Sequence, residues 1–285
     1  MNANLTALFP VICGGGIGDF FVALQSYPLG LMANCGLTSR VFYGSKGHPA
    51  EQTIREFVNS VPILQWADRN PTTTELRIRN VWNRFNKFIF TPPLPGWQKS
   101  RHRRELKPRI LLQTHLDGHH GLKGLSAKCW TVDAWAEVII GLVRNYQAEI
   151  HLLEWHDSSR TQLLSCCPQV VDARQPALLQ QCLHLQSMDL VISVDSWTKY
   201  PARWAQIPQI VIVPDLRRNY TSDFEQMNAS RVISGWFAGI ACRADTILIG
   251  IAHAGRGWEW TLPSMDDLAP EDILRSAGRL INIGA

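Results

Sequence analysis

The sequence contains no CxxC pair, no nucleophile elbow of the GxSxG kind and no Walker-type GxxxxGK[ST] loop. Those absences set aside the usual thiol-redox and zinc-ribbon spacings, the serine-hydrolase elbow and P-loop nucleotide hydrolysis. The start of the chain lacks the basic residues and long apolar core of a signal peptide, and no run approaches the about 18 apolar residues of a membrane span. Charge is scarce: 18% of residues are charged and the formal net charge is +4, which admits acidic ligands but makes no case for nucleic acid. Cysteine is present without a framework. The count of seven is odd, Cys13, Cys35, Cys129, Cys182 and Cys242 lie far apart, and Cys166 and Cys167 are adjacent. Reduced thiols in a soluble, cytoplasmic protein are therefore expected.

What is present fits a folded chain of two domains: 285 residues, 46% of them hydrophobic, with eleven tryptophans. The first part alternates in the βαβ manner, with strands over Leu8–Cys13, Arg40–Tyr43 and Ile63–Trp66 and helices over Asp19–Asn34 and Ala50–Val58. TPPLPGW (91–97) and the basic run KSRHRRELKPR (99–109) break regular structure and act as a linker. Such a run is ordinarily solvated surface; the alternative is contact with an acidic acceptor or a membrane. The rhythm then restarts. Strands are expected at Arg109–Gln113, Ile150–Leu153, Val170–Val171, Leu190–Val194 and Ile207–Val213, and helices at Trp130–Tyr146, Ser159–Cys166 and Pro176–Leu185. Pro270, Glu271 and Asp272 open a final helix, since proline suits the first turn and acids suit its dipole. The expectation is α/β, with two Rossmann-like domains of parallel sheets facing across a cleft. The domains divide at 1–104 and 105–285, with the final helix a candidate to pack back on the first.

Three motifs carry chemistry. Cys13-Gly-Gly-Gly-Ile-Gly-Asp19 follows a strand and opens a helix, where Gly15, Gly16 and Gly18 let the backbone approach a bound group. The dinucleotide fingerprint GxGxxG fails at its third place, which Asp19 occupies. A carboxylate there repels phosphate but suits a general base taking a proton from a hydroxyl; it equally suits a helix cap. Residues 189–214, DLVISVDSWTKYPARWAQIPQIVIVP, read as strand, polar turn, helix and strand. Their Asp195 and Ser196 sit at a strand exit, where open α/β sheets bind ligands, although Asp195 as a mere cap is the competing reading. The third motif, His115-Leu-Asp117-Gly-His119-His120, has zinc-type ligands and resembles a scrambled form of the HxHxDH motif of metallo-β-lactamase-like hydrolases. The exchanged positions favour a surface or substrate-binding loop over zinc.

Taken together, GGGIGDFFVALQSYPLGLM (14–32), SAKCWTVDAWAEVI (126–139) and LVISVDSWTKYPARWAQIPQIVIVP (190–214) resemble, in order and spacing, the heptosyltransferase family, glycosyltransferase family 9. The resemblance implies the GT-B fold, an N-terminal acceptor-binding domain and a C-terminal domain for a nucleotide-diphosphate sugar, ADP-heptose-like donors included. It implies Asp19 as the base that activates the acceptor hydroxyl, Lys128 on the donor phosphates, and Asp195 and Ser196 on the donor sugar. The acceptor would be a sugar, lipid-linked or other hydroxyl, with cell-envelope glycan synthesis as the setting and peripheral inner-membrane contact through 99–109 as one option. With no DxD sequence, transfer would need neither cofactor nor metal. The chain departs from the family at Thr131 (proline there), Trp197 (glycine), Tyr200 (histidine) and Pro214-Asp215-Leu216-Arg217-Arg218, which replaces a Gly-Pro-Thr phosphate loop. Tyr200 and Arg217 are accordingly candidate donor ligands, since a guanidinium binds phosphate in a fork. The same departures keep a second reading open, a GT-B nucleotide-sugar-binding or scaffold protein that has lost transfer. A zinc-dependent hydrolase is the third.

Overall fold

The computed structural model describes residues 9–25, 36–78, 107–114, 130–213, 246–251, 260–262 and 267–283. The chain divides into two compact units, one of residues 1–98 with 175–183, the other of 99–174 with 184–285.

The first unit contains β1 (Phe9–Cys13), α1 (Ile17–Gln25), β2 (Ser39–Tyr43), α2 (Glu51–Ser60) and β3 (Leu64–Ala67). Its strands pair in parallel in the order β1-β2-β3. Helix α2 buries Ile54, Phe57 and Val58, the i, i+3, i+4 stripe of an amphipathic helix. Phe57 meets the rings of Phe20 and Phe21 from α1 edge-on, each at 5.5 Å between centroids. Truncating so central a ring costs about 3–5 kcal/mol. Beyond β3, residues 73–78 form a helical segment. A capping box starts it: the Glu75 amide donates to Thr72 Oγ1 (3.2 Å) and the Thr72 amide donates to Glu75 Oε2 (2.7 Å). The Arg69 guanidinium grips the same carboxylate and, with Thr72, holds its pKa down to about 2.

The second unit contains β4 (Arg109–Gln113), α3 (Val132–Tyr146), β5 (Glu149–Leu153), α4 (Asp157–Ser165), β6 (Val170–Asp172), β7 (Leu190–Val194), α6 (Lys199–Trp204), β8 (Gln209–Val213), β9 (Thr246–Ile251), β10 (Trp260–Leu262) and α7 (Pro270–Ile283). Helix α5 (Leu178–Leu185) has most of its length in the first unit. The sheet is wholly parallel, in the order β10-β9-β8-β7-β4-β5-β6. Chain direction across it therefore reverses between β4 and β7. Such a reversal is a topological switch point, and the crevice beyond the strand ends there is where open α/β sheets take ligands.

Strand β7 is buried at every position, which is why its sequence, LVISV, is apolar at all but Ser193. One sheet face, including Ile110, Leu112, Ile150, Leu152, Ile192 and Ile212, packs in one core with Trp135, Val138, Ile139 and Leu142 of α3 and Ile273, Ala277 and Leu280 of α7. Two glycines let α3 and α7 meet closely: a methyl on Gly141 would strike the Leu274 side chain, and one on Gly278 the Tyr146 hydroxyl. Thr131 stands where the pattern that segment 126–139 resembles has proline. It is the N-cap of α3, its hydroxyl accepting from the Ala134 amide at 3.2 Å, so the helix starts without proline.

Candidate functional site

The glycine loop of the first unit is built by its own side chains. The Gly15 amide donates to Ser45 Oγ (2.9 Å), and the Tyr43 hydroxyl donates to the Gly15 carbonyl (2.6 Å). The Gly16 amide donates to Asp19 Oδ2 at 3.0 Å, so Asp19 reaches back from the first turn of α1 and caps it. Gly15 has φ +75°, in the left-handed region, and a methyl there would collide with the Asp19 carboxylate. A methyl on Gly14 would lie 2.8 Å from Ser45 Oγ. The glycines at 14 and 15 are thus required by Ser45 and Asp19 themselves. Around Gly16 and Gly18, chain neighbours and the helix's own backbone aside, no atom of the described residues lies within 4 Å of where a Cβ would sit.

Asp19 is exposed, while the groups behind it are not ionised near neutrality. Burial, reinforced by Asp19, pushes the Cys13 thiol up to about 12. Burial, then Cys13, Glu51 and Asp19, raises the Tyr43 phenol to about 12. Two of the loop's amides are already used by Ser45 and Asp19, and a carboxylate stands at its mouth. The arrangement suits a neutral ligand that offers a hydroxyl better than it suits phosphate.

In the second unit the switch point is spanned by side chains from both strands. Gln113 ends β4; its Oε1 accepts from the Ser196 hydroxyl and from Thr198 Oγ1 (2.7 Å). Ser196 Oγ also accepts from the Thr198 amide (3.3 Å) and lies 3.2 Å from the Thr198 hydroxyl. The Asp195 amide donates to the Ile212 carbonyl (2.8 Å), which extends the β7–β8 pairing to the strand exit. All of these side chains are buried. Gln113 Nε2 is a buried donor with no partner, one of few such atoms among the described residues.

Asp195 is ion-paired. Lys199, four residues on, places its ammonium 2.5 Å from Asp195 Oδ1 and 3.2 Å from the Ser196 carbonyl, and 4.5 Å from the centre of the Tyr200 ring. Both charged side chains are more than nine-tenths buried. Burial alone would lower the Lys199 pKa; the Asp195 carboxylate, with Tyr200, outweighs it and carries it above the usual lysine value. Trp197 and Tyr200 are buried as well.

Next to β4, the end of β5 presents Glu154, fully buried. One oxygen accepts from the Thr114 hydroxyl at the end of β4, the other from the His156 amide at 2.7 Å. The acid that follows the apolar positions of HLLEW (151–155) is the signal in the sequence that marks this residue.

Of the residues singled out from sequence, Asp195, Ser196 and Tyr200 come together in the second unit with Gln113, Thr198 and Lys199, which the sequence reading did not pick as site residues. Asp19, Gly15, Gly16 and Gly18 come together in the first. Lys128, Arg217, and the cluster His115, Asp117, His119 and His120 lie outside the described residues, as does most of the basic run 99–109. Among the described residues no group of three or more His, Cys, Asp or Glu is placed to hold a metal ion, and no helix is long and apolar enough to cross a membrane.

No family model matches the sequence, and no curated protein matches it. Among solved structures the chain is similar to E. coli ADP-heptose lps heptosyltransferase II, with TM-score 0.56 and 11% identity over 97% of this chain and 99% of that one. It is also similar, at a level that carries no argument, to the bacterial iron-containing dodecameric glycosyltransferase TibC from enterotoxigenic E. coli H10407 (TM-score 0.39, 13% identity, 71% of this chain and 59% of that one). The first likeness spans almost the whole of both chains and gives the fold: α/β of the GT-B type, with Rossmann-like parallel sheets.

Proposed function

We propose that this chain is a glycosyltransferase that moves a sugar from a nucleotide-diphosphate sugar, ADP-heptose-like donors among them, directly to an acceptor hydroxyl. The observation that supports it most is the polar knot at the β4/β7 switch point, where Gln113, Asp195, Ser196 and Thr198 converge in a GT-B fold. In this reading the second unit takes the donor. Asp195 and Ser196 address the donor sugar, and the ribose lies toward the tip of β5. Lys128 and Arg217 are the cations for the leaving diphosphate. Asp19 of the first unit accepts the proton of the acceptor hydroxyl as its oxygen bonds to the anomeric carbon. The bond from that carbon to the diphosphate breaks, and the nucleoside diphosphate leaves with the electron pair. The acceptor is a sugar, lipid-linked or other hydroxyl, and the residues at work are cations, carboxylates and amides in place of a metal.

One observation favours a second reading, a nucleotide-sugar-binding or scaffold protein without transfer. Asp195 is buried against Lys199, and Ser196 is already bonded to Gln113, so both proposed sugar ligands have internal partners. Calorimetry with a panel of nucleotide-diphosphate sugars, paired with a product assay, separates the two. Binding, with transfer of the sugar to an acceptor hydroxyl and release of nucleoside diphosphate, is the expected result. Binding with no turnover on any acceptor supports the scaffold, and no binding by any member of the panel rejects both.

A further inference from the structure

Beside Glu154 the chain exposes an indole. Trp155 follows it directly, immediately after β5, and keeps 39% of its surface accessible, although it is among the largest apolar side chains in the molecule. A single exposed apolar residue is ordinary. This one has a built support. The Arg174 guanidinium lies 6.0 Å from the centre of the Trp155 ring. Arg174 is itself pinned: its Nε and Nη2 donate to Asp172 at 3.0 and 2.8 Å, and its amide donates to Asp172 Oδ1 at 3.1 Å. Asp172 ends β6 and also accepts from Arg160 (3.0 Å). The carboxylate at the tip of β6 thus fixes a cation against the exposed indole at the tip of β5.

We infer that Trp155 is the platform on which the base of the nucleotide stacks. The inference rests on the glycosyltransferase reading, and names the part of its donor that this surface recognises. The geometry follows the order of groups in a nucleotide. Diphosphate belongs at the switch point between β4 and β7, ribose toward the tip of β5, and the base one step further outward, toward β6. Trp155 stands at that step, with a π-face that serves any base, while Arg174 holds the ring in place. A face-on stack is indifferent to the edge of the base, so Trp155 adds affinity for the nucleoside rather than choosing between bases.

The test is calorimetric titration of ADP, GDP, UDP and CDP into the full-length protein and its Trp155→Phe, Trp155→Leu and Trp155→Ala variants, with thermal melts as the folding control. For the tightest of the four ligands, Trp155→Ala and Trp155→Leu should each weaken binding about ten- to hundredfold, and Trp155→Phe only a few-fold. Leucine retaining the affinity of the wild type would overturn stacking, because it keeps apolar bulk without a π-face. Alanine binding as tightly as wild type would overturn the platform while leaving the functional reading intact. Wild-type protein that binds none of the four overturns both.

Discussion

Each unit places an aspartate just after a parallel strand, and the two are held in opposite ways. Asp19, after β1, is exposed and accepts one backbone amide at 3.0 Å. Asp195, after β7, is buried and gripped by Lys199 at 2.5 Å. A carboxylate has about four lone-pair positions. Asp19 caps α1 with one oxygen and keeps the rest in water, where an incoming hydroxyl can reach it. Asp195 is part of an ion pair whose burial is tolerated because each charge answers the other. The first stays at the surface; the second has its charge answered inside the fold.

The largest effect should come from Asp19→Asn. The amide oxygen can still cap α1, so thermal stability should hardly change, but the base is gone. Sugar transfer should fall by about 10²-fold or more, with nucleotide-sugar affinity retained, as read by turnover and calorimetry on the same preparation. Turnover at the wild-type rate would reduce Asp19 to a cap and erase the contrast.

Lys199→Met probes the other side. It leaves Asp195 buried without its counter-charge, a loss of about 3–5 kcal/mol of stability. Chemical denaturation measures it, and adding Asp195→Asn to the same protein should recover much of the loss. A single variant as stable as wild type would mean that Asp195 is hydrated, like Asp19. Gly15→Ala should be milder, about 1–2 kcal/mol from forcing a side chain into the left-handed region. It should also lower turnover, because the new methyl displaces the Asp19 carboxylate.

The smallest effect lies on β5 of the second sheet, two strands from β7 and its Asp195. His151 Nδ1 lies 3.1 Å from His184 Nε2, and His151 Nε2 lies 2.6 Å from Glu149 Oε1. Burial, aided by His184 and Arg109 against the pull of Glu149, lowers the His151 pKa to about 4; burial and Arg109 lower that of His184. A histidine with a depressed folded pKa takes its proton more readily in the unfolded chain. Stability is therefore full above the ordinary histidine value of 6.5 and declines as pH falls from there toward about 4. Denaturation midpoints between those limits should show the decline, and His151→Phe should flatten it.

Much of this fold was legible in the sequence. Strands β4 and β7 match their expected limits residue for residue, since strands buried on both faces do not alternate apolar with polar residues. Strand β9 was missed although TILIGI is just such a run, and β10 is too short to show a period. The site was less legible. Asp195 and Lys199 have visible i, i+4 spacing, but Gln113 bonds Ser196 across 83 positions, and only the sheet order brings them together. The glycine loop taught the converse: its sequence suggested room for a ligand, whereas Gly14 and Gly15 make room for Ser45 and Asp19.

The central claim is that the donor nucleotide belongs to the second sheet and the acceptor to the glycine loop. A crystal structure of the protein with bound ADP or UDP tests it most directly. The account predicts diphosphate beyond the carboxyl ends of β4 and β7, in reach of the Gln113–Thr198 knot, with ribose toward Glu154. Diphosphate seated instead on the loop after β1, against Gly16 and Asp19, would contradict it.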